Sequence, residues 1–194
     1  MTERKLAIFF PGVGYTTDKP LLYYSRRLAA GLGYEIRLLS YGGFPRGVMG
    51  DREKMAECWR LALAQTEEEL SDVDLSECGD ILFVGKSIGT ILAARFAAKS
   101  PAADRIRLVL YTPLEDTFSY TFGPALAFTG SADPWVGRSQ SRIPALCRER
   151  NIPCTVLPGA DHSLETGDPL ADIGILRDVM AETERFVRGA DPRA

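Results

Sequence analysis

The feature that most restricts the fold is an alternation. Short apolar runs end abruptly at glycine or proline, and longer stretches with helical spacing follow them. Residues 6–10 are a continuous apolar run closed by Pro11 and Gly12, the pattern of a strand buried on both faces. Asp18 and Pro20 then give helix-start signals, and Leu21, Leu22, Tyr24, Ser25 and Leu28 keep roughly helical spacing as far as Gly31 and Gly33. Residues 34–40 read as a second strand. Past the loop 41–51, with its glycines and Pro45, Met55, Trp59, Ala62, Leu63, Thr66 and Leu70 mark one face of another helix. A third run, 81–84, turns at Gly85 into the alanine-rich helical segment 88–99. Residues 105–111, 125–129 and 154–157 complete six expected strands, while 112–123 is too short and irregular to assign as helix. Ile173, Leu176, Met180 and Val187 make 170–188 an expected amphipathic helix. Strands alternating with helices imply an α/β three-layer sandwich of about six parallel strands. No repeat or linker interrupts the pattern, so one domain over 1–194 is expected.

Composition narrows the function classes. A length of 194 residues with 45% hydrophobic content is enough for one substantial core. The net charge of -3 arises from 26 acidic and 23 basic residues that are well mixed, which argues against a nucleic-acid partner. Arg4 and Lys5 precede the first apolar run, but that run is too short for a signal peptide, and no stretch approaches the roughly 18 apolar residues of a spanning helix. A cytoplasmic location without a membrane partner is therefore the expectation. Cys58, Cys78, Cys147 and Cys154 contain no C-x-x-C pair and read as reduced, mostly buried thiols. With one histidine and no clustered ligand spacing, no metal site is expected.

The sharpest local signal is Gly85-Lys86-Ser87-Ile88-Gly89, a G-x-S-x-G sequence between an expected buried strand and an expected helix. In this the chain resembles the α/β-hydrolase superfamily, in particular its small lidless serine esterases and dienelactone-hydrolase-like members. The resemblance implies that Ser87 occupies a strained turn exposing its hydroxyl above the sheet. A serine hydroxyl needs a base and a carboxylate to orient that base. His162, the one histidine, lies just beyond the last expected strand, where this family's histidine loop belongs. The sequence from Phe128 through Asp133 to Trp135 resembles the acid loop, making Asp133 the implied acid, with Asp161 a rival on sequence alone. The order Ser, Asp, His is the family order. The resemblance places oxyanion donors on the N–H of Ile88 and on the loop after the first strand, at Val13 or Gly14, with Gly12 allowing close backbone approach. Pro11 stands where the family commonly has histidine, and Val13 and Gly14 remain unranked.

Each of these residues has a plainer reading alone: Ser87 as a helix N-cap, His162 as a surface-loop residue, Asp133 as a turn former before Pro134. Three matches at three expected positions favour the joint reading. Phosphate-loop and dinucleotide readings fail, because five residues separate Gly79 from Gly85 and no third glycine follows Gly12-x-Gly14. Lys86 beside the nucleophile is read either as a lysine packed along its stem and paired with a carboxylate, or as a residue favouring anionic substrates or orienting Glu165 or Glu115. Tyr15, Phe118 and Trp135 are the candidate substrate walls, since loops after parallel strands border the ligand crevice. About a dozen residues between Tyr111 and Ala125 leave room for a small lid at most. The expected reaction is hydrolysis of a small carboxylic ester or thioester without a cofactor. An acyltransferase or peptidase using the same residues, or a silent binding protein on this fold, are the alternatives. An exposed apolar edge could support a homodimer.

Overall fold

The computed structural model describes residues 4–136 and 142–189. In chain order the elements are β1 (Arg4–Phe10), α1 (Pro20–Gly31), β2 (Glu35–Leu38), α2 (Arg52–Glu69), β3 (Cys78–Lys86), α3 (Ile88–Lys99), β4 (Ile106–Tyr111), β5 (Ala125–Gly130), α4 (Ile143–Glu149), β6 (Cys154–Leu157) and α5 (Pro169–Val187). Single 3-10 turns occupy Ala103–Arg105, Glu115–Ser119 and Pro134–Val136. The six strands form one sheet in the order β2-β1-β3-β4-β5-β6, and every pairing is parallel. This is the expected α/β three-layer sandwich.

Side-chain alternation divides the core into two layers. Ile8, Phe10, Phe83, Leu108, Leu110 and Ala127 face one side, where Ala62 of α2, Leu92 and Ala93 of α3 and Ile143 of α4 cover them. Ala7, Phe9, Val84, Val109, Tyr111 and Phe128 face the other, beneath Leu21 and Leu22 of α1 and Val179 and Phe186 of α5. Because both faces are covered, the central strands are apolar along most of their length rather than alternating.

Several polar residues inside this core are partnered across elements. The Tyr111 hydroxyl lies 2.8 Å from Ser25 Oγ in α1 and 2.9 Å from Thr183 Oγ1 in α5, bridging the two helices that cover one face. Asp80, within β3, accepts from Arg107 of β4 at 2.8 Å. Arg107 also donates to the carbonyls of Phe186 and Val187 at 3.0 and 2.9 Å, which satisfies the end of α5. Asp51 caps α2 by accepting from the N–H groups of Glu53 and Lys54, and Asp168 caps α5 in the same way.

The structure departs from the sequence pattern at particular elements. Helix α4 has no counterpart in that pattern, because seven residues make barely two turns and show little period. Strand β3 is longer than the apolar run 81–84, since Asp80 and Lys86 are accommodated inside it. Among the described residues no helix is long and apolar enough to cross a membrane.

The order of pairing determines where a ligand crevice can open. From β1 the chain steps one way to β2, then crosses back to β3 on the other side and continues outward to β6. Loops leaving β1 and β3 therefore diverge at the sheet's carboxyl-terminal edge, where such sheets hold ligands. Tyr111→Phe removes the hydroxyl that joins α1 to α5 and leaves two buried hydroxyls short of a partner. It should lower unfolding free energy by about 1–3 kcal/mol in urea titrations; an unchanged midpoint would show that the bridge adds nothing.

Candidate active site

Four loops, after β1, β3, β5 and β6, meet at that edge. Ser87 connects β3 to α3 with φ 56° and ψ -123°, left-handed backbone that is costly for a residue with a side chain. Its N–H donates to the Tyr111 carbonyl at 3.0 Å, and its carbonyl accepts from the N–H and hydroxyl of Thr90 at 2.9 and 2.6 Å. Thr90 is held in turn by Thr117 at 2.7 Å. Gly89 explains how α3 can start so abruptly: a Cβ there would lie 2.1 Å from the Phe10 carbonyl oxygen, so the helix rests directly on the end of β1. The plainer reading of Ser87 does not hold, because its side chain makes no capping bond to α3.

Ser87 Oγ instead lies 2.8 Å from His162 Nε2, and His162 Nδ1 lies 2.6 Å from Asp133 Oδ2. The base and the acid come from loops that are laced together. Ser131 N–H donates to the Leu157 carbonyl at 3.0 Å and Ala132 N–H to the Ala160 carbonyl at 2.9 Å. A Cβ on Gly130 would sit 2.1 Å from the Ala160 oxygen, so this crossing requires glycine. Asp133 is buried, and its other oxygen accepts from Trp135 N–H at 2.9 Å. Asp161, the rival acid, is occupied in its own loop, accepting from the N–H groups of Ser163 and Glu165 at 2.7 and 3.1 Å.

His162 is held below its ordinary pKa, first by burial; the hydrogen bond to Asp133 opposes this, and the charge of Lys86 adds to the lowering. A neutral imidazole donating from Nδ1 to Asp133 leaves Nε2 free to accept from the serine hydroxyl. That is the protonation state a general base requires.

The loop after β1 forms a tight turn: Gly12 N–H donates to the Tyr15 carbonyl at 3.0 Å, and Tyr15 N–H to the Gly12 carbonyl at 3.3 Å. A Cβ on Gly12 would be 3.3 Å from Ser87 Cβ, so the turn lies against the nucleophile position. The N–H groups of Val13 and Gly14 donate to no acceptor among the described residues. The Ile88 N–H belongs to the first turn of α3, where no helical acceptor exists.

The remaining candidates are placed unevenly. The Trp135 ring lies against His162, with centroids 5.6 Å apart. Phe118, expected as a substrate wall, is instead buried in the core against α3 and the sheet, because the 3-10 turn Glu115–Ser119 points it inward. Tyr15, also expected as a wall, turns toward α1 and α5, where its hydroxyl accepts from Leu21 N–H at 3.1 Å. Lys86 is buried at 1% exposure, so its ammonium is not displayed to an anionic substrate. It pairs with neither Glu165 nor Glu115; Glu115 is bound to Arg142 at 3.0 Å.

A cleft of about 440 Å³ opens at Ile88, the residue after Ser87, and is lined by Met55 and Trp59 of α2, Ile88 and Ile91 of α3, and Leu114, Asp116, Ser119 and Tyr120. In the sequence Met55 and Trp59 mark one face of a helix, and nothing in that period separates cleft residues from core residues. Among the described residues no group of three or more His, Cys, Asp or Glu is placed to hold a metal ion, and the four cysteines are free.

No protein-family model matches the chain. No curated protein matches it significantly either. Solved structures do resemble it. An α/β serine hydrolase homologue from Coxiella burnetii is 20% identical, with a TM-score of 0.55 over 94% of this chain and 84% of that one. A serine hydrolase without a lid from Xanthomonas campestris is 16% identical, with a TM-score of 0.59 over 97% and 83%. An esterase from Pyrococcus furiosus is 12% identical, with a TM-score of 0.62 over 97% and 84%. With its six parallel strands, this chain has the α/β-hydrolase fold.

Proposed function

We propose that this protein is a serine hydrolase acting on small carboxylic esters or thioesters with an apolar acyl group. The observation that carries the reading is the hydrogen-bonded chain from Ser87 through His162 to Asp133, at 2.8 and 2.6 Å, with the serine on a left-handed turn. Three loops from different parts of the chain supply the three residues, and none of the plainer roles accounts for their meeting.

In this reaction Ser87 Oγ attacks the acyl carbonyl while His162 Nε2 takes its proton. Asp133 holds the imidazole in the right tautomer and stabilises the imidazolium that forms. The N–H groups of Ile88 and Val13 receive the negative charge developing on the carbonyl oxygen. Val13 is the better second donor, since it follows the glycine packed on Ser87 and its side chain joins the Ile88 cluster, while Gly14 is exposed. His162 then returns the proton to the leaving group, and water repeats the sequence on the acyl-enzyme. The cleft beside Ile88 suits an uncharged acyl chain, because most of its lining is apolar and the one charged residue in it is an acid, Asp116. The esterase and serine hydrolases among the structural neighbours add support at the level of the fold.

A fluorophosphonate should add once to the wild type, detected by intact mass, and not at all to Ser87→Ala. His162→Ala should abolish the adduct on the same timescale, and Asp133→Asn should slow it by on the order of 10³–10⁴-fold. A folded wild type that takes no adduct would make the chain a binding protein on a hydrolase fold.

Acyl-chain preference tests the cleft separately. Each methylene buried there contributes about 0.8 kcal/mol, so kcat/KM should rise up to about fourfold per carbon from p-nitrophenyl acetate to butyrate. Ile91→Phe, which fills the cleft, should remove that rise while leaving acetate hydrolysis nearly unchanged. Equal preference for the two esters in the wild type would place the acyl chain elsewhere.

A further inference from the structure

Two ionisable acid or base side chains appear among the buried polar residues, Asp133 and Lys86. Asp133 is accounted for by His162. Lys86 has no comparable partner: among the described residues it makes no hydrogen bond and no ion pair within 4.0 Å. As the last residue of β3 it stands opposite Tyr111 of β4, on the face shared with Leu82 and Val84. Its Nζ lies 4.8 Å from the centroid of the Tyr15 ring. The ring face attracts a cation without neutralising it.

The groups facing Lys86 come from every loop of the site. Tyr15 follows β1, Asp133 follows β5, and Asp161 and His162 follow β6. The Tyr111 hydroxyl on the neighbouring strand is already engaged with Ser25 and Thr183. Lys86 therefore lies within electrostatic reach of the hydrogen-bonded pair of Asp133 and His162, on the sheet face opposite the helices that line the acyl cleft.

We propose that Lys86 is a positioning residue of the hydrolytic reaction: buried beside the nucleophile and seated on Tyr15, its ammonium opposes the imidazolium that forms on His162, and its neutral amine does not. This inference rests on the hydrolase reading of the site.

Burial disfavours the ammonium, and the carboxylates of Asp133 and Asp161 offset this in part, leaving Lys86 pushed down to about 7. Both forms are then populated near neutral pH. The protonated form keeps His162 neutral to lower pH but makes the proton transfer from Ser87 less favourable, because that step creates a second positive charge. Once Lys86 loses its proton, Asp133 acts on His162 unopposed. Acylation of Ser87 should accordingly rise with pH in two steps that belong to the coupled pair. Tyr15 stays in place in either state, since Leu21 and the Gly12 turn hold it independently.

The single histidine makes the test direct. Protein labelled with [13Cε1]histidine gives one ring resonance to follow against pH in the wild type and in Lys86→Met, alongside the pH dependence of fluorophosphonate addition. The wild-type resonance should move in two steps, and the addition rate should rise in two. In Lys86→Met one step should remain for both, at a pH above the lower wild-type step. A single step in the wild type, or a Lys86→Met titration with the wild-type midpoints, would overturn the proposal. If Lys86→Met does not fold, the number of wild-type steps decides. Two-step titration with no adduct on Ser87 would overturn the hydrolase reading, and the assignment of Lys86 to that reaction with it.

Discussion

Helix α3 lies on the end of β1 with no side chain between them, and the chemistry of this edge of the sheet depends on that contact. Gly89 permits it, since any Cβ there would collide with the Phe10 carbonyl. Because the helix is pressed this close, the chain leaving β3 has no room for an ordinary turn, and Ser87 takes left-handed backbone instead. The cost of that conformation, of order 1–3 kcal/mol, is offset by bonds to Tyr111 and Thr90 on either side. The serine hydroxyl consequently points out over the sheet, clear of the helix it precedes. The same contact brings the turn after β1 against Ser87, which puts two candidate oxyanion donors beside one nucleophile.

Much of this was legible in the sequence for a physical reason. Strands buried on both faces are apolar along most of their length, so 6–10, 81–84 and 105–111 announced themselves. Strand β3 outgrew its apolar run because the partners of Asp80 sit on other elements, at Arg107 and Tyr34, where no local pattern records them. Helix α4 escaped because Ile143–Glu149 is too short to show a period.

For the site, the order Ser87, Asp133, His162 could be read from its resemblance to a family, and the three side chains do meet. The substrate walls could not be read that way. Tyr15 and Phe118 are aromatic residues in loops after strands, as Trp135 is, yet the side they face is set by helices packed on them from distant parts of the chain. Met55 and Trp59 share a helical face with core residues, and their place on the cleft depends on the distant 114–120 segment that lines it with them. Packing of the Lys86 stem was one of the readings the sequence offered, but burial of its ammonium over a ring rather than against a carboxylate was not, since nothing local says that Tyr15 will cover it.

The lacing of the loop after β5 to the loop after β6 divides the site into two bodies. One comprises the acid and the base, joined by backbone bonds from Ser131 and Ala132 to Leu157 and Ala160. The other comprises the nucleophile and the turn after β1, joined through the close approach of Gly12 to Ser87. Backbone bonds thus fix the acid loop to the base loop without involving the nucleophile. The side-chain joint between the bodies is the bond from His162 Nε2 to Ser87 Oγ. A substrate lodged between Ile88 and Trp135 would touch both bodies at once, and its own rigidity would then help to set the alignment of that bond.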